Sequence, residues 1–210
     1  MKPPAVLIPV KASDQKSRLA PLLRLQQRQE LAELMLLDVL DAVGKAGLLS
    51  RCFVISSSRT TRRLAENAGA CTIGEHSDKG VNSAIEAAMA GVEADDLMVV
   101  PSDLPLLRAA EIKRALLLKE AGMEVVLAPS AEFDGTNLLL FSKSKPIELS
   151  FDRNSFWNHL DAAAGKWLKV AVLSARGIRF DIDTVSHLRA LAKEKSQSRA
   201  VALARELVPQ

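Results

Sequence analysis

The sequence predicts an α/β protein: a single three-layer α/β/α domain spanning residues 1–210, built on a mixed, mainly parallel sheet. Three observations lead there. Short, almost continuous apolar runs of strand length alternate with longer amphipathic segments of helical spacing from residue 5 to residue 128. The runs lack the apolar–polar alternation of a half-wetted sheet, so they belong to strands covered on both faces. Beyond residue 128 the strict alternation stops, which predicts an antiparallel addition to the sheet.

The elements follow in order. Ala5 to Val10 (AVLIPV) is a first buried strand, followed by a polar loop. Leu25 to Val43 carries Leu31, Leu34, Met35, Val39 and Ala42 at helical spacing, and Gly47 just beyond is a stop signal. Cys52 to Ile55 is a second strand, Thr60 to Ala68 a short helix and Ala70 to Ile73 a third strand. Val81 to Val92 places Ala84, Ile85, Ala88 and Val92 on one helical face. Leu97 to Val100 (LMVV) is a buried strand ending at Pro101, Ala109 to Lys119 a helix and Val125 to Ala128 a strand. Asn137 to Phe141 and Trp167 to Leu173 read as strands with no clear helix between them. Thr184 to Leu207 is one helix or two.

Composition bounds the function. With 210 residues, 48% hydrophobic and 25% charged, the chain can bury a core without disulfides or a structural metal. Its 28 basic and 25 acidic residues leave a net charge of +3, too balanced for a nucleic-acid binder. Cys52 and Cys71 stand in apolar surroundings with no CxxC or Cys/His cluster, so both are expected as buried thiols and no zinc site is expected. No signal-peptide pattern and no run of about 18 apolar residues occurs, so no membrane span is expected and the cytoplasm is the expected compartment. The oligomeric state is not legible. The 31–43 helix suits a core, and a homodimer is compatible with the chain.

In open α/β sheets ligands bind outside the carboxyl ends of the strands, so the loops after each strand are where chemistry is expected. After the first strand, residues 9–19 include Pro9, Lys11, Lys16, Ser17 and Arg18, a basic loop able to wrap a triphosphate or simply to be solvated. It is neither a Walker A loop nor a GxGxxG turn. After LMVV comes Pro101-Ser102-Asp103-Leu104-Pro105, a carboxylate at a strand end suited to Mg²⁺, or else a helix cap. Asp181 and Asp183, two residues apart in extended chain, point the same way and favour a cation beside them. Asp183 or Thr184 could equally cap the next helix. Asp134-Gly135-Thr136-Asn137 is a turn signal. Residues 150–159 crowd Ser150, Arg153, Asn154, Ser155, Asn158 and His159 around aromatics, a set able to bind a phosphorylated acid, with His159 also open to a structural hydrogen-bonding role. In Asp78 to Ala84, Gly80 permits close backbone approach and Asn82 offers a donor and an acceptor to a base or ribose, although capping explains the segment nearly as well.

Taken together and in this order, Lys16-Ser17-Arg18-Leu19-Ala20-Pro21, Gly80 to Ala84 (GVNSA), PSDLPL, DGTN and the final DIDT resemble the 2-phospho-L-lactate guanylyltransferases of coenzyme F420 biosynthesis, over about residues 5 to 190. The resemblance implies a nucleotide-diphospho-sugar transferase type of α/β fold. It also implies transfer of GMP from GTP to 2-phospho-L-lactate, or to phosphoenolpyruvate or 3-phosphoglycerate, with release of pyrophosphate. Lys16 and Arg18 would hold the triphosphate, with Pro9, Lys11, Ser17, Gly80, Asn82 and Ser102 lining the nucleotide site. Asp103, Asp181 and Asp183 would hold Mg²⁺. Thr136, Asn137, Ser155 and His159 would lie near the acceptor. The LxAGGxxxRMG loop of the related molybdenum-cofactor enzymes is absent, which favours the narrower family. Asp152 stands where a glycine is expected, and an acidic residue there would repel an anionic acceptor. The alternatives are another nucleotidyltransferase of the same fold and a non-catalytic nucleotide-binding protein.

Overall fold

The computed structural model describes residues 2–11, 16–75 and 80–208. Its seven-stranded sheet has the order β3-β2-β1-β4-β6-β5-β7. The strands are β1 (Ala5–Pro9), β2 (Cys52–Ser56), β3 (Cys71–Gly74), β4 (Asp96–Val99), β5 (Val125–Pro129), β6 (Thr136–Ser142) and β7 (Val170–Val172). The helices are α1 (Leu25–Lys45), α2 (Arg59–Asn67), α3 (Val81–Gly91), α4 (Ala109–Glu120), α5 (Ser155–Ala164), α6 (Val185–Ala192) and α7 (Arg199–Leu207).

Side chains alternate across the sheet and fill two cores. Val6, Ile8, Val54, Met98 and Leu140 face α1, α2 and α4, whose Val39, Val43, Ala65, Ile112 and Ala115 are buried against them. Leu7, Ile55, Leu97, Leu139 and Phe141 face α3 and α5, through Ile85, Ala88, Phe156 and Ala163. Each fully buried Leu or Ile contributes about 1.5–3 kcal/mol, which accounts for the dominance of unbroken apolar strands in the sequence. A third cluster joins Leu31 and Met35 of α1 to Leu188 and Leu191 of α6 and to Val201 and Ala204 of α7. The mixed, mainly parallel α/β architecture is therefore the one the sequence predicts. Among the described residues no helix is long and apolar enough to cross a membrane.

Among the described strands β6 alone runs against its neighbours, pairing antiparallel with β4 (Met98 opposite Leu140) and with β5 (Leu127 opposite Leu139). Its first residues, Thr136 and Asn137, consequently lie at the edge of the sheet where β1, β4 and β5 end. This is how a strand start contributes to a site otherwise built from strand ends.

Three expectations change, and one left open is decided. A helix, α5, occupies 155–164 where none was clear. Its buried face includes Ser155 and His159 beside Phe156 and Ala163, so its apolar periodicity is diluted by polar residues that find partners in the fold. The strand expected over Trp167 to Leu173 is only Val170–Val172. Trp167 sits in the turn that closes α5, 93% exposed with φ 55°. Cys71 is exposed because β3 is an edge strand, whereas Cys52 on β2 is buried as expected. The C-terminal segment resolves into two helices, capped by the Thr184 and Ser198 hydroxyls.

Candidate active site

Strand order reverses between β1 and β4: the chain winds outward from β1 through β2 to β3 on one side and continues from β4 on the other. A cleft of about 970 Å³ opens at this switch point, beyond the carboxyl ends of the strands. Pro9, Lys11, Lys16, Ser17 and Arg18 line it from the β1 side, and Ser102 and Asp103 from the end of β4. Asp181 and Asp183 line it from the loop before α6, and Thr136, Asn137 and Ser155 form the far wall. Ala12 to Gln15 of the basic loop, and Asp78 and Lys79 before Gly80, lie outside the described residues.

The centre of the cleft is an ionic cluster. Lys16, in left-handed conformation at φ 57°, directs its ammonium between two carboxylates, 2.5 Å from Asp103 Oδ2 and 2.8 Å from Asp183 Oδ1. Burial on its own would lower the Lys16 pKa, but the charges and hydrogen bonds of Asp103 and Asp183 outweigh it and raise the pKa above the ordinary lysine value. Burial likewise works to raise the Asp183 pKa, and Lys16, with help from Arg18 and His187, reverses the sign and holds it below the usual carboxylate range. Arg18 Nη1 stands 3.8 Å from Asp183 Oδ2, its side chain mostly in solvent. Asp181 differs in the direction of its shift. Burial, reinforced by the charges of Asp103 and Asp183, pushes its pKa up to about 6 against the hydrogen bond it accepts from Asn137 Nδ2 at 3.0 Å.

Backbone bonds fix these acids. The Ile182 N–H donates to the Asp103 carbonyl at 3.2 Å, clipping the Asp181–Asp183 segment onto the loop after β4. Behind it, buried Glu111 accepts from the Gly177 N–H at 3.1 Å and from the Arg108 N–H at 3.1 Å. A side chain at Gly177 would collide with the Leu106 carbonyl and come within 2.6 Å of the Glu111 carboxylate, so only glycine fits this crossing. Neither acid is a helix cap. The α4 helix starts after Arg108, well past Asp103, and Thr184 Oγ1 caps α6 by accepting from the His187 N–H at 3.3 Å. Both carboxylates are left to the cleft.

The donor set can be tested for a cation. Among the described residues no group of three His, Cys, Asp or Glu side chains is placed to hold a metal alone. Asp103 Oδ1, however, is buried with no hydrogen-bond partner, and the other oxygen of Asp103 already faces a positive charge. A buried carboxylate oxygen without a partner is costly, and Mg²⁺ characteristically takes one or two carboxylates and completes its shell with phosphate and water. The residues fit such an ion.

Three expected site residues stand back from the cleft. Gly80 caps the start of α3 at φ 90°, a conformation other residues rarely adopt, and has no lining role. Asn82 spends both ends of its amide on the opposite wall, accepting from the Phe151 N–H at 2.8 Å and donating to Asp152 Oδ2 at 3.2 Å. His159 is wholly buried beneath the wall, bonded to Thr136 and Ser150. Arg153, Asn154 and Asn158 line the cleft as well, with no individual role expected of them from the sequence. The Arg/Asn/Ser crowding of 150–159 was the signal for them.

The family model for "Guanylyl transferase CofC like" matches residues 4–207. This chain belongs to that family. It is 34% identical to a 3-phospho-D-glycerate guanylyltransferase of Phenylobacterium zucineum over 80% of this chain and 79% of the relative. It is also 34% identical to a 2-phospho-L-lactate guanylyltransferase of Methanocaldococcus infernus, over 82% and 76%. In fold it is similar to a protein of Desulfovibrio desulfuricans G20 named as a nucleotide-diphospho-sugar transferase, with a TM-score of 0.78 at 19% identity over 96% and 94% of the two chains. Family membership thus covers every element that forms the cleft, from β1 to α6.

Proposed function

We propose that this chain is a Mg²⁺-dependent guanylyltransferase that transfers GMP from GTP to the phosphate of a small phosphorylated carboxylic acid, 2-phospho-L-lactate or phosphoenolpyruvate, in coenzyme F420 biosynthesis. The observation that carries the reading is the Lys16–Asp103–Asp183 cluster, with its partnerless Asp103 oxygen, at the switch point of a sheet belonging to a guanylyl transferase family. A cytoplasmic setting, where GTP and Mg²⁺ are plentiful, fits it.

In this reaction an oxygen of the acceptor phosphate forms a bond to the α-phosphorus of GTP. The bond from that phosphorus to the bridging oxygen breaks, and pyrophosphate leaves with the electron pair. A phosphate dianion is already nucleophilic, so the protein supplies alignment and charge rather than a general base. Asp103 and Asp183, with Asp181, would hold the metal, which when bound neutralises charge on the reacting phosphate. Lys16 and Arg18 bring positive charge to the β1 side of the cleft, where a triphosphate would lie. Thr136 and Ser155, buried with hydroxyls on the far wall, offer donors to the acceptor.

The test is pyrophosphate release with Mg²⁺, each of the four NTPs, and 2-phospho-L-lactate, phosphoenolpyruvate or 3-phospho-D-glycerate. Release with GTP and one acceptor is expected, and chelation of the metal should stop it. Release with CTP in place of GTP would reject the guanylyl assignment. GTP binding without release, whatever the acceptor, would leave a nucleotide-binding protein.

A further inference from the structure

His159 lies on the inner face of α5, 0% exposed, with both ring nitrogens engaged. Its Nε2 is 2.9 Å from the backbone nitrogen of Ser150, and its Nδ1 is 2.9 Å from Thr136 Oγ1. The edge of the Phe151 ring meets the imidazole at a centroid distance of 4.7 Å and an angle of 61°.

These contacts assign the proton. A backbone N–H can only donate, so Nε2 must present its lone pair to Ser150. A neutral imidazole then carries its hydrogen on Nδ1, which donates to Thr136 Oγ1. An imidazolium would set Nε2–H against the Ser150 N–H, and burial disfavours that cation in any case. The Thr136 oxygen is therefore an acceptor toward His159, and its single hydrogen remains for a group on its other side. That side is the cleft, which Thr136 lines.

We propose that His159 is a positioning residue for the acceptor substrate: by donating to Thr136 Oγ1 it keeps the hydroxyl hydrogen free for the cleft and so favours an oxyanion, a phosphate or carboxylate oxygen, at that point. The inference rests on the guanylyltransferase reading for its substrate. The same ring ties down Ser150, where the segment leading to Ser155 begins, so one side chain sets both the near and far parts of the acceptor wall. A hydroxyl left to rotate would accept from a donor ligand as readily as it gives to an anion. Fixed by His159, it has one lone pair already engaged and always keeps its hydrogen to give to an anion in the cleft.

The experiment is a double-mutant cycle read as KM for the acceptor, KM for GTP and kcat. Thr136→Val should raise the acceptor KM about tenfold or more, the size expected for one hydrogen bond to a charged group, with the GTP KM nearly unchanged. His159→Leu should raise it similarly in the wild-type background and add little in the Thr136→Val background. An unchanged acceptor KM in His159→Leu, or the same effect in both backgrounds, would overturn the proposal. Should His159→Leu fail to fold, ¹⁵N-labelled protein with its other two histidines replaced by glutamine decides instead. The imidazole is expected as the Nδ1–H tautomer, and a proton on Nε2 would sink the idea. Absence of turnover by the wild type with any acceptor would reject the functional reading and leave the tautomer measurement to stand alone.

Discussion

Lys16 already fills a cationic position, contacting Asp103 and Asp183 together. Because Asp103 also has an oxygen with no partner, it is the carboxylate whose charge the site can least replace. Asp103→Asn is expected to lower turnover roughly a hundredfold or more, since one charge-stabilising group in a dry site contributes about 3 kcal/mol. Steady-state pyrophosphate release checks this, and full activity with unchanged metal dependence would reject the metal role. A second residue-scale expectation concerns acid. Burial lowers the His159 pKa from 6.5 to about 4, so between these values the unfolded chain takes up a proton that the folded one refuses. Its stabilising contribution is complete above pH 6.5 and fades as pH falls toward 4, by up to about 3 kcal/mol. Asp181, raised to about 6, works with the opposite sign over part of that range. The His159 effect is therefore read as the difference from His159→Leu in urea denaturation. The gap between the two proteins should narrow on going from pH 7 to pH 4, and a constant gap would mean that His159 is not neutral in the fold.

Among the elements, the 174–184 segment shows how a loop lining the cleft is held by packing rather than by its own structure. Gly177 passes against Leu106 and Glu111, and Ile182 bonds to Asp103. Gly177→Ala should cost about 1–3 kcal/mol from overpacking and reduce kcat more than the loss of folded protein explains, because the shift is passed to Asp181 and Asp183. Thermal unfolding beside activity measures both, and an unchanged kcat would separate the crossing from the acids. The opposite edge of the sheet offers a contrast. There buried Lys119 donates to Ser142 Oγ at 2.9 Å and pairs with buried Asp96 at 3.4 Å, where β4 begins and β6 ends. Lys119→Met leaves Asp96 buried without its cation and is expected to destabilise by about 3–5 kcal/mol, with the acceptor and GTP KM values unchanged in the protein that remains folded. Elements of both kinds were legible in the sequence to differing degrees. β1, β2 and β4 were readable because burial on both faces leaves uninterrupted apolar runs. The α5 helix was not, since Ser155 and His159 turn polar groups inward and look like a loop until Thr136 and Ser150 are seen to satisfy them.

For the molecule as a whole, ligand binding should tie together parts of the cleft that belong to different regions of the chain. GTP with Mg²⁺ at about 100 times its Kd is expected to add about 2.7 kcal/mol of stability, a rise in Tm of roughly 5–10 °C for a chain of this size. A shift of that size with CTP and none with GTP would contradict the guanine assignment. The basic loop and Asp103 were visible in the sequence because each follows a strand, and strand ends in such sheets face ligand, whereas Asp181 and Asp183 were visible as two acids at i and i+2 in extended chain. The misplacement of Asn82 and His159 has a different origin. Their side chains are complete donor–acceptor pairs, and the sequence does not say whether a ligand or the protein's own backbone answers them. Here the protein does, through the backbone of Phe151 and Ser150 and the side chains of Asp152 and Thr136.

The reversed strand β6 gives the enzyme a seam. On one side, β1 and β4 carry the loops that would handle a nucleotide, common to every reaction of this kind. On the other, the turn of residues 130–135 and the α5 approach supply the wall that would face the second substrate, joined to the first half through β6. Change confined to that turn or that approach can retune the choice of acid while the nucleotide half keeps its geometry. One inherited nucleotide site could in this way serve relatives named for different phosphorylated acids.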